Sequence, residues 1–362
     1  MSRFRFTALT LLLAFDPGAI AGAQSKFLTA EDIAEWPSPP TEHRIPYGND
    51  PLQFGELRLP EGPGPHPVAV VVHGGCWLAR WDIQHIGRLA QALTDAGLAT
   101  WTLEYRRIGN PGGGWPGTFQ DIAHGADHLL TLAKDHALDL NRVLAVGHSA
   151  GGQFVLWLAA RHRIPEGSPL HSKDALRLRG ALALAAAPDL ALAHRKGVCD
   201  NVIDKLMGGS PEEVPDRYRQ GSPIEMIPLG VPQILVNGAH DLPRRLAAVE
   251  GYAQAARDAG DSVQVITAED SAHFEVIAPD SSTWPMVRDA ALSLVGLVRA
   301  STEKASVAPG KDLISPMNSP VSGNNGSRPS SNPVWSAPPD GQNDLASGPL
   351  EHAQVTHPTE PA

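Results

Sequence analysis

The clearest chemistry in this chain sits in five consecutive residues, Gly147-His148-Ser149-Ala150-Gly151. This G-x-S-x-G run follows the apolar stretch Val143-Leu144-Ala145-Val146 and precedes the helical spacing of Gln153 to Ala160. A serine at a sharp strand-to-helix turn has its Oγ pushed out at the top of a sheet, and the next backbone N–H, that of Ala150, faces the oxygen of an attacked carbonyl. The glycines are needed because strand and helix approach closely at such a turn. The chemistry this permits is nucleophilic attack by Ser149 on an acyl carbon.

A serine hydroxyl needs a base, and the base needs an orienting group. His273, in Asp270-Ser271-Ala272-His273-Phe274, is the candidate base, and Asp241, in Asn237-Gly238-Ala239-His240-Asp241, the candidate acid. Each lies just beyond a run that reads as a strand, and the order serine, acid, histidine is the one such serines use on parallel sheets. Asp189 also follows a strand and is the rival acid. Glu269 and Asp270 stand too near His273 along the chain to orient it. The loop His73-Gly74-Gly75-Cys76-Trp77 supplies a second element. The N–H groups of Gly75 and Cys76 can hold a developing oxyanion together with Ala150, and Gly74 supplies the turn. His73 reads as a buttress of that loop. Trp77 and Trp81 fit an acyl-group wall and a core position equally well.

These residues need a scaffold that brings several loops to one edge. Strand patterns occupy residues 68–72, 100–105, 143–146, 181–187, 233–236 and 263–266. Helical spacing follows in 83–93, 119–137, 153–160, 246–259 and 284–299. The alternation predicts an α/β class with a mostly parallel central sheet and helices on both faces. The Pro-rich stretch from Glu42 to Leu59 reads as an antiparallel edge hairpin. Ile164–Leu178 and Asp189–Val231 break the alternation. The second leaves from the carboxyl end of a strand, where open α/β sheets bind ligands, and reads as a lid-like insertion.

Taken together, His-Gly-Gly-Cys-Trp, Gly-His-Ser-Ala-Gly, Asn-Gly-Ala-His-Asp and Ala-His-Phe resemble the bacterial α/β-hydrolase esterases of the feruloyl-esterase-like and kynurenine-formamidase-like group. The resemblance covers residues 43–300 and implies an α/β-hydrolase fold with a Ser149–Asp241–His273 triad and an oxyanion loop at Gly74, Gly75 and Cys76. It implies no cofactor and a small-molecule ester or amide substrate. Cys76 stands where lipase-like relatives carry a third glycine, and the loop is similar to the formamidase type.

Composition narrows the remaining classes. The chain has 362 residues, 42% apolar and 19% charged, with a net charge of −10. Its basic residues form no stripe, which argues against a nucleic-acid partner. No run approaches the ~20 apolar residues of a membrane span. Arg3 and Arg5 ahead of an apolar stretch, followed by Ala21-Gly22-Ala23, read as a signal peptide over residues 1–23, so export to the periplasm or beyond is expected. Residues 24–42 read as an N-terminal extension. Residues 301–362, rich in Ser, Pro and Gly, read as a disordered tail. Cys76 and Cys199 could join the oxyanion loop to the insertion, but free thiols are the expectation. His124 and His128 have the spacing of two zinc ligands, yet position 125 is glycine and no third ligand is apparent, so no metal site is expected. Asp121 and Asp127 fit a solvated helix face, and Gly109–Trp115 a turn at the mouth of the site. The sequence sets no oligomeric state.

The two candidate acids separate cleanly by mutation. Asp241→Asn is expected to lower kcat by several orders of magnitude and Asp189→Asn by far less, measured on one ester substrate. The reverse order would place the acid after the earlier strand.

Overall fold

The computed structural model describes residues 27–297 apart from 38 and 42. The chain divides into two units, Met1–Glu303 and Lys304–Ala362. The second lies outside the described residues, as do the expected signal peptide and tail.

Eight strands form one sheet: β1 (His43–Pro46), β2 (Phe54–Arg58), β3 (His66–Val72), β4 (Ala99–Leu103), β5 (Leu138–His148), β6 (Gly180–Leu184), β7 (Gln233–Gly238) and β8 (Val263–Ala268). Their order is β1-β2-β4-β3-β5-β6-β7-β8. The β1–β2 and β2–β4 pairs are antiparallel and the rest are parallel. The expected edge hairpin is therefore present. The helices are α1 (Ala30–Ala34), α2 (Gln84–Asp95), α3 (Gly117–Asp127), α4 (Leu129–Leu132), α5 (Ala150–Ala160), α6 (Leu190–Arg195), α7 (Val202–Met207), α8 (Pro215–Gly221), α9 (Pro243–Asp258) and α10 (Trp284–Leu294).

The central strands are buried on both faces, which is why they read as continuous apolar runs. In β3, Val68, Val70 and Val72 enter one core with Phe119 of α3 and Phe154 and Trp157 of α5. Ala69 and Val71 enter a second core with Ile86 and Leu89 of α2 and Ala290 and Leu294 of α10. Helices thus cover both faces, as expected from the alternation, and strand side chains divide between them with period two.

Three local expectations differ. The helical spacing of 119–137 is broken after Asp127. The Gly125 carbonyl, which a continuing helix would offer to residue 129, accepts the indole N–H of Trp101 at 2.7 Å. Strand β6 stops at Leu184 because the chain turns away at Ala185, whose φ is 46°. Asp121 does not face solvent. It is fully buried and receives Arg106 Nε (2.8 Å), Arg106 Nη2 (2.7 Å) and Gln53 Nε2 (2.7 Å). Asp127 is half-buried and pairs with Arg161 at 2.6 Å. These charges are legible as surface by spacing, but their cationic partners come from elsewhere in the chain.

The insertion after β6 folds as α6, α7 and α8 and returns over the strand ends. It brings Cys199 to Cys76 with 5.9 Å between their Cα atoms, and the two form a disulfide. The expectation of free thiols is corrected. Pairing depends on where the insertion comes back, which local sequence does not encode. The link ties the Gly74–Cys76 loop to a segment in which Cys199, Asp200 and Asn201 all have positive φ, an uncommon run for residues with side chains.

Because the disulfide closes a loop of 123 positions, its chain-entropy contribution is about 2–5 kcal/mol. Urea unfolding with a thiol reductant present, or of the Cys76→Ala/Cys199→Ala variant, is expected to show that loss. Identical unfolding midpoints in both conditions would contradict it.

Candidate active site

All of the candidate residues lie at the carboxyl edge of the parallel strands. Ser149 follows β5, the Gly74–Cys76 loop follows β3, Asp241 lies beyond β7 and His273 beyond β8. Ser149 has φ 53° and ψ −114°, a strained conformation for a residue with a Cβ, and its N–H donates to Leu184 O at 2.8 Å. The elbow fits because its neighbours lack side chains. A Cβ on Gly147 would strike the Gly151 carbonyl, and one on Gly151 the Val72 carbonyl. A Cβ on Gly74 would lie 3.2 Å from Ser149 Cβ, so the oxyanion loop passes directly beside the serine.

The N–H groups aimed at this space are unclaimed. Among the described residues, no backbone acceptor takes those of Gly75 or Cys76. Ala150 opens α5, and the first N–H groups of a helix have no partner within it. Gly75 has φ 111° and packs so tightly on Trp81 that a side chain there would collide with the indole. Cys76 and Trp77 also have positive φ (54° and 56°), so the loop is wound to turn its N–H groups one way.

Asp241 is buried and His273 nearly so. Their side chains meet through His273 Nδ1 and Asp241 Oδ2 at 2.7 Å. The other carboxylate oxygen accepts the Leu242 N–H at 2.6 Å and Arg245 Nη1 at 2.9 Å. Burial pushes the Asp241 carboxyl up, but the hydrogen bond and charge of His273, the Arg245 cation and the Leu242 N–H outweigh it and hold it down at about 2. Burial lowers the His273 imidazole below the usual histidine value of 6.5; Asp241 opposes the shift and Arg245 adds to it. The histidine is therefore neutral at pH 7 and able to accept a proton.

Asp189 has a different task. It is the N-cap of α6, and its Oδ1 accepts the Leu192 N–H at 2.8 Å. Glu269 and Asp270 are exposed, and His240 stacks on Phe27 with centroids 4.7 Å apart. His124 is exposed and His128 lies near Trp101. Trp77 is buried, donates to Gln153 Oε1 at 3.2 Å and lines the pocket at Ser149, so it serves both as core and as wall. Trp115 packs edge-on against Phe119 and its backbone N–H donates to Leu206 O at 2.7 Å; it braces the insertion and is not part of that pocket's wall.

Sequence reasoning missed two supporting networks. His148, the variable residue inside G-x-S-x-G, donates from Nε2 to the His273 carbonyl at 2.9 Å. Its Nδ1 must then accept, and it does so from His85 Nε2 at 2.8 Å. Burial first, and neighbouring imidazoles second, keep both rings uncharged, with His85 at about 3 and His148 well below its ordinary value. The elbow is thereby tied to the backbone of the candidate base. Beneath the oxyanion loop, His73 Nδ1 donates to Gly74 O at 2.7 Å while Arg107 Nη1 donates to its Nε2 at 3.1 Å. Arg107 also pairs with buried Glu104, whose carboxylate accepts the N–H groups of Ile83 (3.0 Å) and Tyr105 (2.9 Å). His73 is the expected buttress. The Glu104–Arg107 spacing (i, i+3) was the available signal for the second network.

A family model, BD-FAE, matches residues 57–243. The chain is 30% identical over 156 residues to 2,6-dihydropseudooxynicotine hydrolase of Paenarthrobacter nicotinovorans, covering 40% of this chain and 39% of that one. It thus spans about two fifths of that relative's length. Among solved structures it resembles a bifunctional GH43-CE protein of Bacteroides eggerthii (TM-score 0.59, 19% identity, 70% of this chain and 38% of that one). It also resembles native Est2, an esterase of Thermogutta terrifontis (TM-score 0.61, 16% identity, 75% of this chain and 100% of that one). Est2 has also been seen with propionate bound and phosphorylated by paraoxon. At these identities the structural matches establish the α/β-hydrolase fold.

The acid limb of kcat/KM should fall as pH drops through the His273 pKa, below the ordinary 6.5. Arg245→Gln removes a cation that lowers this pKa, so the limb is expected to move to higher pH. A pH–rate profile with the limb unmoved or moved down would contradict the coupling.

Proposed function

The chain belongs to the BD-FAE family of α/β-hydrolase esterases, and from that premise we propose that it hydrolyses small carboxylic esters through an acyl-enzyme on Ser149. The observation that carries this reading is the strained Ser149 elbow at the edge where a buried Asp241 holds a neutral His273. His273 takes the serine proton as Oγ attacks the carbonyl, and Asp241 fixes its tautomer and stabilises the imidazolium. The N–H groups of Gly75, Cys76 and Ala150 receive the oxyanion. His273 then protonates the leaving alkoxide, and water, activated by the same imidazole, releases the acid.

The pocket at Ser149 is a small cavity of about 30 Å³, with Ala185, Ala186, Leu192 and Val198 in its wall. That size suits short acyl groups. Export belongs to the same proposal, supported by the signal-like N-terminus and by a disulfide of the kind that persists in oxidising compartments.

Stoichiometric labelling by a fluorophosphonate is expected at Ser149, and Ser149→Ala should lose at least ~10⁴-fold in kcat with its fold retained. 4-Nitrophenyl butyrate should exceed the palmitate ester in kcat/KM. Labelling at another serine would overturn the nucleophile. An aryl formamide that outran every short ester would make the protein a formamidase.

A further inference from the structure

We propose that Lys196 and Arg244 select esters that carry an anionic group, a carboxylate on either the acyl or the leaving side. The inference rests on the esterase reading and adds the substrate's charge to it. Both residues line the same pocket as Ser149, Lys196 just beyond the end of α6 and Arg244 in the first turn of α9. The interior of that pocket is apolar, so charge is confined to its mouth.

Arg244 is placed against its helix. The first turn of α9 contains no acidic residue, and the N-cap Leu242 contributes no side-chain cap. The N-terminus of a 16-residue helix carries positive partial charge, which disfavours cations and attracts anions. Its two adjacent arginines are nonetheless both there. Arg245 is compensated by Asp241 at 2.9 Å. Arg244 is exposed, and among the described residues it makes no ion pair or side-chain hydrogen bond. Lys196 is likewise exposed and unpaired.

Among the described residues, one carboxylate, that of Asp189, stands in the wall of this pocket. One of its oxygens caps α6, and it forms no ion pair with either cation. Asp241 is shared between His273 and Arg245. The result is a mouth with surplus positive charge on a chain whose net charge is −10. Two cations left unpaired around Ser149 on an acidic protein draw anions to that point. A carboxylate entering with the ester would pair with Lys196 and Arg244, while the reacting carbonyl reaches Ser149.

Paired substrates test this on the full-length protein. On the acyl side, mono-4-nitrophenyl glutarate is compared with 4-nitrophenyl valerate. On the leaving-group side, 4-carboxyphenyl acetate is compared with 4-carbamoylphenyl acetate. At low ionic strength the anionic member of one pair is expected to have the higher kcat/KM by about tenfold, shrinking towards 0.5 M salt as screening sets in. The pair that responds identifies the side. In Lys196→Gln/Arg244→Gln that ratio should fall to about one, and in Lys196→Arg/Arg244→Lys it should persist. Ratios of one or less in both pairs, with the neutral esters turned over well, would overturn this inference and leave the esterase reading standing. A preference that survives the glutamine double variant would also overturn it. Failure of every ester would instead sink the reading on which it rests.

Discussion

The structure depends on one steric constraint, the absence of side chains where the Ser149 turn is squeezed between β3, β5 and α5. Ser149 holds φ 53° because Gly147, Gly151 and Gly74 leave room for backbone to pack on backbone. Each of these positions would drive a Cβ into a main-chain carbonyl, and carbonyls, unlike side-chain ends, cannot step aside. The strain of the elbow is offset by the packed sheet on either side, where Val71, Val72, Leu144 and Val146 are fully buried. A core of this rigidity holds one residue in a rare conformation without letting it relax.

Electrostatics around the elbow follow from the same burial. Three imidazoles, those of His85, His148 and His273, lie within ring contact along one path, and in a dry interior they are stable only if neutral. Neutrality fixes the tautomers: the His273 carbonyl accepts from His148, which accepts from His85. The Gly74–Cys76 loop is handled differently. There a full ion pair, Arg107–Glu104, is buried and anchors His73 from below. Truncating one member of such a pair would strand the other's charge, so the network also fixes the geometry above it.

Much of this was legible in the sequence. The β-branched run of β3, the strand-turn-helix context of Ser149 and the positions of Asp241 and His273 follow from periodicity and chain order. The limits were also physical. Asp121 looks solvated because helical spacing says nothing of an arginine and a glutamine arriving from other segments. The break after Asp127 depends on an indole N–H from β4. The Cys76–Cys199 bond depends on the return path of an insertion whose irregular backbone has no period to read. In each case the missing information was long-range, whereas the site motifs are local because a strand end and its loop carry them.

The disulfide encloses more than its two ends. The covalent ring from Cys76 to Cys199 contains β4, β5, Ser149, α5 and β6. It also contains Pro165, Glu166 and Gly167, which are exposed in the excursion before β6 and form the sort of tip that proteases cut. A single cleavage there produces no free fragment, since both pieces stay joined through the Cys76–Cys199 link and remain docked on the same sheet. The chain can lose its continuity at that tip and still keep Ser149, the Gly75 and Cys76 amides and its insertion in one molecule.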